Sequence, residues 1–600
     1  MTEAVQELRS ELRASTADPS EPIESSPPEL AGPVPKVWVR SNVDEAAVRE
    51  LSVAARLPAW LARLLVTRGV RTPEAAERFL KPSLSHLPDP STMRGLDKAV
   101  DRLIAAIDRC ERIALYGDYD VDGVTSTTLL ATFLEAHGVH ARVYIPKRLV
   151  EGYGLNRSAV DQLADEGMKV LVTLDCGITA AGEVAHANER GIDVIVVDHH
   201  RCPPELPPAH AVLNPHQDGC AYPDKGLAAV GVCFNLVVGI RRRLRERGFY
   251  KGLVEEPNLR RLLDLVALGT IADMVPLTGV NRVLACFGLE EIREARRPGV
   301  RALLFASRVR PARTTSTDVG FRLAPRINAA GRLDDASVGV RMLLARTIAE
   351  AEPLAAVLDD ANLKRQRIEA EVVEQAIARV ESGPIPPAIV LYDPEWHIGV
   401  VGIVAAKIVE RFGRVAVLIG EGGRGSARTA GAIHLYDAIA RCEGLLRKFG
   451  GHRAAAGLTI DVDRAPELAS ALSASVLLDP AFGTTGGELV YDDDLMASDI
   501  NDQKLRSLQA LEPFGNANPE PLFRASGLTV QSNRIVGKNH LKLRLREGTF
   551  GGLEAMAFSR GELSSKLWSG RQVDLAFHLE RHEYAGVESL QLRVRDLRPV

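Results

Sequence analysis

The sequence lacks the cysteine pattern of a disulfide framework or of a thiolate zinc site. It has seven cysteines, an odd number, and contains no C-x-x-C motif. Both facts fit a reducing compartment, so we expect a cytoplasmic protein. No apolar run is long enough to span a bilayer. The polar, acidic N-terminus also lacks the charged-then-apolar order of a secretory signal.

A strong excess of basic residues is missing as well. The net charge is -4 and the pI is about 6.4, so any surface for nucleic acid must be local. The 600 residues are 46% hydrophobic and 25% charged, which is the composition of an ordinary globular protein. A chain of this length predicts several domains.

Changes in residue pattern divide the chain into six predicted segments. Residues 1–35, rich in proline and acidic residues, are expected to form a disordered tail. The other predicted segments are a helical cap at 36–97, an α/β domain at 98–340, a connecting helix at 341–383, a smaller α/β lobe at 384–475 and a β-barrel domain at 476–600.

Residues 98–200 alternate short apolar strands with amphipathic helices, which is typical of a doubly wound parallel sheet. Polar residues follow three of these strands. In open parallel sheets, ligands bind beyond the carboxyl ends of the strands, so we expect these side chains to converge at one edge. They are Asp118, Asp120, Asp122, Asp175, Asp198, His199 and His200.

Carboxylates so close together repel one another unless a cation lies among them. Hard divalent cations prefer oxygen ligands, so the pattern favours a metal site. Asp273, in the apolar stretch I-A-D-M-V-P-L, would be costly to bury unless it is paired or metal-bound. The alternatives are an acidic surface turn ending at Asp122-Gly123, a plain turn at Asp175, a surface pair of histidines at 199–200, and an N-cap role for Asp273.

Three further stretches carry donors suited to phosphate. F-R-L-A-P-R-I-N-A-A-G-R-L at 321–333 is predicted to be a loop, and G-G-R-G-S-A-R-T at 422–429 and F-G-G-H-R-A-A-A-G at 449–457 are predicted to be glycine-rich turns that form an anion pocket. The alternatives are solvated surface charges and a packed turn histidine. The candidate substrate-binding residues are Arg326, Asn328, Ser426, Arg428, His452 and Arg453.

The C-terminal segment changes character. Five short strand-like runs after residue 526 predict a small barrel such as an OB-fold. Residues 524–600 hold 13 Lys and Arg against 8 Asp and Glu, a local basic bias. Alternation along a strand places Lys542, Arg544 and Arg546 on one face, which suits the backbone of a single-stranded nucleic acid. The alternative is an ordinary solvated strand face.

The motifs G-D-Y-D-V-D-G, L-D-C-G, V-D-H-H and I-A-D-M-V-P-L occur in this order, followed by P-R-I-N-A-A-G-R, W-H-x-G-V-V-G-I and G-G-H-R-A-A-A-G. On these motifs the chain resembles the single-stranded-DNA exonucleases of the DHH phosphoesterase family, over residues 70–600. The resemblance implies a DHH catalytic domain, a smaller DHHA1-like lobe and an OB-fold-like barrel. It also implies 5′-to-3′ degradation of single-stranded DNA, in DNA repair and recombination, with two ions of Mn2+ or Mg2+.

The resemblance also implies roles for individual residues. The implied metal ligands are Asp120, Asp122, Asp175, His199 and Asp273. His200 would orient the site or meet the phosphate, and Asp120, Asp122, His199 and His200 are the implied catalytic residues. Asp118 and Asp198 would lie near the site. One branch of the family has a histidine where this chain has Tyr116, so we expect no ligand there. Arg326, Ser426, Arg428 and His452 match positions that face the substrate.

The expected reaction is metal-assisted hydrolysis, which needs no protein nucleophile. Two alternatives remain: a phosphodiesterase or phosphatase for short oligonucleotides, and a catalytically silent single-strand-binding replication factor. For the exonuclease we expect a monomer that works with a single-strand-binding protein and a helicase, away from membranes.

Overall fold

The structure, a computed structural model, describes residues 36–147, 151–152, 154–252, 254–333, 335–429, 433–480, 482, 488–584 and 587–600. The acidic tail expected at 1–35 lies outside these residues. Within the described part, no helix combines the length and the apolar character needed to cross a bilayer.

The first part of the described chain, residues 36–80, contacts two domains. They form β1 (Val37–Arg40), α1 (Glu45–Ala54), α2 (Ala59–Thr67) and α3 (Pro73–Leu80). The apolar side chains of these three helices share one buried cluster with the C-terminal barrel. Arg282, in the parallel-sheet domain, donates from Nε to the carbonyl oxygen of Phe79 at 2.9 Å. The segment expected as a helical cap therefore lies between the barrel and the parallel-sheet domain.

Five parallel strands form the sheet of the parallel-sheet domain. They are β2 (Ile113–Gly117), β3 (Arg142–Tyr144), β4 (Val170–Leu174), β5 (Asp193–Val197) and β6 (Ala211–Leu213). Their order across the sheet is β3-β2-β4-β5-β6. Alternate side chains of a strand point to opposite faces, so Ile113 and Leu115 enter one apolar cluster while Ala114 and Tyr116 enter another.

Helices cover both faces of this sheet. The four that alternate with its strands are α4 (Leu96–Asp108), α5 (Val121–Glu135), α6 (Arg157–Asp165) and α7 (Ala181–Glu189). The first two pack on one face and the last two on the other. The prediction of a doubly wound parallel sheet is confirmed.

The rest of the parallel-sheet domain is helical. Its helices are α8 (Ala229–Glu246), α9 (Leu263–Ala272), α10 (Gly279–Glu294), α11 (Pro298–Ala306), α12 (Ala324–Leu333) and α13 (Ser337–Leu344). A short α-helical turn, Ser316–Asp318, and a π-helical turn, Val319–Leu323, run directly into α12. The loop predicted at 321–333 is therefore wrong. Ile327, Ala329 and Ala330 are buried in α12, and this apolar face favours a packed helix over an exposed loop.

Helix α14 (Ile348–Glu381) connects the two lobes, as predicted. Ala351 and Leu358, near its start, belong to the core of the parallel-sheet domain. Val372 and Val380, near its end, pack in the core of the smaller lobe. Within the predicted span 341–383, the end of α13 and a short link precede this helix.

The accessory lobe has a five-stranded mixed sheet in the order β10-β11-β9-β8-β7, in which only β7 and β8 are parallel. Its elements are β7 (Ala388–Tyr392), α15 (Ile398–Phe412), β8 (Val415–Ile419), β9 (Arg424–Arg428), α16 (Leu435–Ala440), β10 (Leu446–Gly451), β11 (Ala455–Ile460) and α17 (Ala465–Leu477). Ser426 and Arg428 lie on β9, so the turn predicted at 422–429 is confined to Gly422 and Gly423 and is wrong for residues 424–428. Strand β9 is paired on both sides, with β8 and β11, and this ladder holds its backbone extended.

The C-terminal domain is a closed five-stranded barrel. It is preceded by β12 (Glu488–Tyr491), β13 (Asp493–Asp494) and α18 (Asp502–Gln509). The barrel strands are β14 (Phe523–Val536), β15 (His540–Glu547), β16 (Phe550–Ala557), β17 (Gln572–Tyr584) and β18 (Val587–Pro599). Strand β14 pairs with both β15 and β17, which closes the barrel. The prediction of an OB-fold-like barrel is confirmed.

Candidate metal centre

Three neighbouring strands end in a row of aspartates at the carboxyl edge of the parallel sheet. The sheet hydrogen bonding continues one residue beyond each strand: the Asp118 N–H donates to Leu174 O at 3.1 Å, the Asp175 N–H to Val197 O at 2.9 Å, and the Asp198 N–H to Leu213 O at 3.0 Å. The backbone ladder therefore fixes where the three side chains leave the sheet.

The acidic turn after β2 is held in place by hydrogen bonds between its own residues. The Asp120 carboxylate caps α5 by accepting from the N–H groups of Asp122 and Gly123, at 3.0 and 3.1 Å. A Cβ atom on Gly123 would lie 2.5 Å from Asp118 O, so glycine is required for this close approach. The turn therefore presents Asp118, Asp120 and Asp122 to one side of the sheet edge.

Asp122 is buried at the start of another helix. Its carboxylate accepts from the N–H groups of Ala229 and Val230, at 2.7 and 2.9 Å, in the first turn of α8. A helix N-terminus carries partial positive charge and unpaired N–H groups, so it stabilises a carboxylate. Sequence analysis missed these two donors, because backbone groups leave no residue-type signal.

His199 lies at the centre of the cluster. Its Nε2 atom is 3.3 Å from Asp175 Oδ1, 3.4 Å from Asp273 Oδ2 and 4.0 Å from Asp122 Oδ2. Asp273 follows α9 as its C-cap residue, so the alternative of an N-cap role does not hold. Residues from four separate parts of the chain thus meet within a few ångströms.

The side chains form two adjoining groups whose ligand atoms lie within 4.8 Å of one another. One group contains Asp118, Asp120 and Asp175, and the other contains Asp122, His199 and Asp273. Asp175 and His199 join the two, and also form a third such group with His200. The two groups together offer carboxylate oxygens and an imidazole nitrogen as ligands, and they adjoin at Asp175 and His199.

Burial and mutual repulsion disfavour the charged forms of these carboxylates. Burial, with the nearby charges of Asp273 and Asp120, raises the pKa of Asp122 well above its ordinary value. Burial, with Asp120 and Asp122, does the same to the pKa of Asp175. Burial and Asp120 raise the pKa of Asp273 to about 7. Without positive charge among them, the acids must share protons.

The two histidines have opposite charge states. Burial, with the charge of His200, lowers the pKa of His199 to about 4, so its ring is neutral at pH 7. Burial alone would lower the pKa of His200, but its Nδ1 hydrogen bond to Asp198 Oδ1, 2.8 Å long, and the charge of Asp198 raise it to about 9. A neutral imidazole is the form that binds metal.

Asp198 positions the V-D-H-H turn. It is 0% exposed, and its carboxylate accepts from the N–H groups of Ile178, His199 and His200 as well as from His200 Nδ1. Burial alone would raise its pKa, but the hydrogen bonds and charge of His200 outweigh burial and lower the pKa. Asp198 therefore stays ionised and orients His200.

These side chains fit a divalent cation. Asp175 Oδ1 and His199 Nε2 are both buried and have no hydrogen-bond partner among the described residues. Buried polar atoms are nearly always paired, so two unpaired atoms 3.3 Å apart indicate a missing partner. Carboxylate oxygens with imidazole nitrogens are suitable ligands for Mn2+ and, through the oxygens, for Mg2+.

Tyr116 does not take the place of a ligand. Its hydroxyl donates to Gly154 O at 2.8 Å and accepts from Asn156 Nδ2 at 3.1 Å. The ring is fully buried and stacks on Tyr144, with centroids 5.3 Å apart. Tyr116 therefore packs on the face of the sheet and does not enter the edge cluster.

Helix α12 lies against the acidic turn. Asn328 Oδ1 accepts from the Val121 N–H at 3.2 Å, and a Cβ atom on Gly331 would lie 2.5 Å from Tyr119 O. Arg326 donates from Nε to Asp359 Oδ1 on α14 at 2.8 Å. The predicted substrate-binding residues Asn328 and Arg326 thus also hold this helix between the metal centre and the connecting helix.

The accessory lobe brings its predicted anion-binding residues to one end of its sheet. Arg428 on β9 pairs with Ala455 on β11, and His452 and Arg453 form the turn just before that strand. Ser426 Oγ and Arg428 Nη2 face Gly402 of α15, where a Cβ atom would lie 3.1 Å from each. Burial lowers the pKa of Arg428, which has no ion pair with a described residue. A half-buried cation without a counter-ion is suited to an anionic ligand.

The barrel presents its predicted cations on the outer face of β15. Leu541, Leu543 and Leu545 point into the barrel and are buried. Arg544, on the opposite face, is exposed. Lys542, on that same face, is partly covered, and its Nζ atom lies 2.8 Å from Glu554 Oε2. Sequence alternation thus predicted the face but not the carboxylate beside Lys542.

Family models match three parts of the chain. They are the DHH family N-terminal domain at residues 112–270, the DHHA1 domain at 386–476 and the RecJ OB domain at 491–596. The first match contains the acidic turn and the V-D-H-H motif, and the second contains the predicted anion pocket. The domain types expected from the family resemblance are confirmed.

Full-length relatives agree with the family models. The chain is 39% identical over 584 residues to the single-stranded-DNA-specific exonuclease RecJ of Salmonella typhimurium, covering 94% of this chain and 99% of that protein. It is 38% identical over 584 residues to the protein of the same name from Escherichia coli, with the same coverage. The crystal structure of RecJ from Thermus thermophilus in complex with Mn2+ aligns with a TM-score of 0.79 and 32% identity, covering 94% of this chain and 80% of that chain. A Mg2+ complex of RecJ from the same organism aligns with a TM-score of 0.74 and 31% identity, covering 94% of this chain and 78% of that chain. The chain therefore belongs to the RecJ family of single-stranded-DNA-specific exonucleases.

Proposed function

We propose that the chain is a metal-dependent exonuclease that hydrolyses phosphodiester bonds of single-stranded DNA from the 5′ end. The observation that carries this proposal is the buried cluster at the edge of the parallel sheet. Its carboxylates repel one another and its two unpaired polar atoms lie 3.3 Å apart, which is the arrangement expected of a site built for divalent cations.

The cofactor is Mn2+ or Mg2+. Asp120 and Asp175 on one side, and Asp122, His199 and Asp273 on the other, would hold a pair of ions. Bound cations of this kind lower the pKa of water and neutralise charge on a phosphate. His199 is suited to its role because its ring is neutral at pH 7. Asp122 is fixed in orientation by its two hydrogen bonds from α8.

His200 has a different role in this proposal. Its Nδ1 atom donates to Asp198; burial disfavours the charged ring, but this hydrogen bond and the charge of Asp198 raise its pKa. The Nε2–H group of an imidazolium is a strong donor to a phosphate oxygen. His200 would therefore orient the scissile phosphate and stabilise its charge, with Asp198 as its positioning residue.

Two surfaces would bind the strand on either side of the cleavage point. Ser426, Arg428, His452 and Arg453 form an anion pocket in the accessory lobe, which α12 joins to the metal centre. Arg332, near the end of α12, donates from Nη1 to Gly399 O at the start of α15, at 3.2 Å. A phosphate held in this pocket would leave the next phosphodiester at the metal centre, which supports removal of nucleotides from a phosphorylated end.

The outer face of the barrel would bind the strand further away. Lys542 and Arg544 lie on β15, and single-strand-binding barrels combine such cationic strands with stacking surfaces. This domain favours the exonuclease over an enzyme limited to short oligonucleotides, because a dinucleotide has no need of it. The intact acids at the metal centre disfavour a catalytically silent binding factor.

The setting of the enzyme follows from its substrate. Single-stranded DNA arises where duplex is unwound or resected, so we propose a cytoplasmic enzyme of DNA repair and recombination that acts with a helicase and a single-strand-binding protein. A monomer suffices for this function, because one chain contains the metal centre, the anion pocket and the barrel.

The test uses single-stranded DNA labelled at either end, with the 5′ or the 3′ end blocked, in the presence and absence of Mn2+. We expect mononucleotide release only with metal and only when the 5′ end is accessible. A matched duplex and a dinucleotide serve as comparison substrates. Release from a blocked 5′ end would contradict the proposed direction, and metal-independent release would contradict the proposed chemistry.

A further inference from the structure

Phe305 and Phe321 are the most exposed large hydrophobic side chains of the described residues, at 81% and 80%. Phe305 lies in the last turn of α11, and Phe321 lies in the π-helical turn before α12. Exposed aromatic rings are normally few, and neighbouring ones indicate a surface that meets a partner. π-Helical turns also occur frequently at functional sites.

The two rings belong to neighbouring turns of the chain. Arg322, next to Phe321, donates from Nη2 to the carbonyl oxygens of Ser307 and Arg308, at 2.8 and 2.7 Å. Ser307 Oγ donates in return to Arg322 O at 3.4 Å. These hydrogen bonds fix the end of α11 against the π-helical turn.

Positive charge accompanies the rings. Arg301, one helical turn before Phe305, and Arg308, just after the helix, are both exposed. Neither forms an ion pair with a described residue, although many arginines of this acidic chain do. Exposed aromatic rings interleaved with unpaired cations suit a single-stranded nucleic acid, whose bases stack and whose phosphates attract charge. We call Arg301, Phe305, Arg308 and Phe321 the arginine–phenylalanine surface.

The segment that carries Phe321 lies between the metal centre and the barrel. Gly320, next to Phe321, faces Ile271, and a Cβ atom there would lie 4.0 Å from Ile271 Cγ2, two residues before Asp273. Ser316 Oγ donates to Phe514 O, in the segment that leads to the barrel, at 2.7 Å. Arg313 Nη2 lies 2.8 Å from Glu588 on barrel strand β18. The segment that carries Phe321 thus touches the element before a metal-site aspartate and the barrel itself.

We propose that the arginine–phenylalanine surface binds single-stranded DNA between the barrel and the metal centre. Phe305 and Phe321 stack on bases, and Arg301 and Arg308 contact phosphates. The inference rests on the proposed function and adds a binding site to it. Duplex DNA does not fit this site, because its base faces are already stacked on their neighbours.

The first experiment measures the affinity of the full-length protein for a fluorescent single strand by anisotropy, in EDTA so that no cleavage occurs. The variants are Phe305→Ala, Phe321→Ala and the double variant. Each lost stacking contact should weaken binding at least about fivefold, without changing the dependence on salt. Arg301→Ala and Arg308→Ala should instead lower the slope of log affinity against log salt by about 0.7 each. Leu478→Ala, at a side chain that is 75% exposed on the accessory lobe, is the matched control and should change nothing.

A strand of abasic sites separates stacking from other causes. It keeps the phosphates but offers no bases, so the double Phe variant and the wild type should bind it equally. Hydrolysis of a dinucleotide by the double variant should match that of the wild type, because the metal centre is untouched. This readout keeps the two proposals distinct: absence of cleavage in the wild type would refute the nuclease, whereas the binding comparison judges the surface.

An unchanged affinity of the double Phe variant for the normal strand would overturn the proposal, and would leave a protein partner as the occupant of this surface. An equal loss on the abasic strand would also overturn it, since the rings would then act without bases. Thermal unfolding of each variant should match the wild type, because both rings are exposed.

Discussion

The metal centre and the outer face of β15 both concern phosphate, but they are built in opposite ways. At the metal centre, Asp122 and Asp175 are almost fully buried, held by backbone ladders and helix ends, and shifted far from their ordinary pKa values. On the barrel, Arg544 is exposed, so its charge is hydrated by solvent and can pair with a bound ligand. The first region concentrates charge in low dielectric, and the second spreads it in water.

This difference predicts how each region responds to change. Charges in a buried cluster interact strongly and are poorly screened, so a single substitution should act on the whole centre. Charges on an exposed face act almost independently, and salt weakens each of them. Substitutions in the two regions should therefore differ in size and in salt dependence.

The largest effect is expected at Asp175. Asp175→Asn should lower metal-dependent cleavage at least about 100-fold, because even indirect partners of metal ligands contribute 10–100-fold. The fold should survive, since asparagine tolerates the left-handed backbone of this residue, with φ 65°. Thermal unfolding with and without Mn2+ measures the loss directly. The wild type should gain about 2.7 kcal/mol at a metal concentration of 100 times Kd, and the variant should gain almost nothing.

The stability of the metal-free proteins provides a second measurement on the same variant. Asn at 175 removes a desolvated charge from a repelling cluster, so the metal-free variant should be no less stable than the metal-free wild type. Asp463→Asn, at an exposed aspartate of the accessory lobe, is the matched control and should keep the metal-induced gain. If Asp175→Asn also kept that gain, Asp175 would not be a ligand.

A smaller effect is expected where the barrel domain meets the metal centre. Asn516 donates from Nδ2 to Met274 O at 2.7 Å, and its backbone carbonyl oxygen, which alanine would keep, accepts from the Leu277 N–H at 2.8 Å. Both contacts hold the loop just after Asp273. Asn516→Ala should therefore raise the Mn2+ concentration for half-maximal cleavage up to about tenfold, the low end for indirect partners of a ligand. The measurement is a metal titration of dinucleotide hydrolysis, which does not depend on the barrel face.

Arg68→Ala is the control for this contact. Arg68 donates to Asn518 Oδ1 and Pro519 O in the same connecting segment, at 2.7 and 2.5 Å. It should leave the metal requirement unchanged. If the Mn2+ concentration for half-maximal cleavage rose equally in both variants, the docking of the whole segment would matter and the individual contact with Met274 would not.

The metal centre was predictable because its signal is local. Each acidic motif directly follows a strand or helix, so topology alone places Asp118, Asp175 and Asp198 at one sheet edge. The contacts that orient them were not predictable in the same way, because they come from backbone groups far along the chain. The N–H groups of Ala229 and Val230 are the example.

The substrate surfaces were harder to predict because glycine and arginine have several uses. In α12 the stretch of small residues allows close packing on Tyr119, where we expected a loop. Gly425 belongs to the paired strand β9, where we expected a turn. Nothing in the sequence indicated that Asn516 reaches the loop after Asp273.

The exposed face should show a small, salt-dependent effect. Arg544 is exposed and has no ion pair among the described residues. Arg544→Ala should weaken single-strand binding by less than about fivefold, the scale of one exposed charge interaction, and lower the salt slope by about 0.7. Anisotropy at several salt concentrations measures both. Arg109→Ala, just before β2 at the opposite edge of the sheet, should change neither, and a loss that does not depend on salt would contradict the phosphate contact.

The smallest effect is expected at Lys542, and its sign can be tested. Lys542 Nζ already lies 2.8 Å from Glu554 Oε2, so a phosphate must compete with that carboxylate for the same cation. Lys542→Ala should weaken binding less than Arg544→Ala, with a smaller change in salt slope. Glu554→Gln should strengthen binding, because it removes a repelling charge and releases the lysine. If Lys542→Ala instead weakened binding as much as Arg544→Ala, and Glu554→Gln had no effect, the Lys542–Glu554 ion pair would separate on DNA binding without an energetic cost. The affinity of the barrel face for single strands would then depend on the number of its cations, regardless of which of them have carboxylate neighbours.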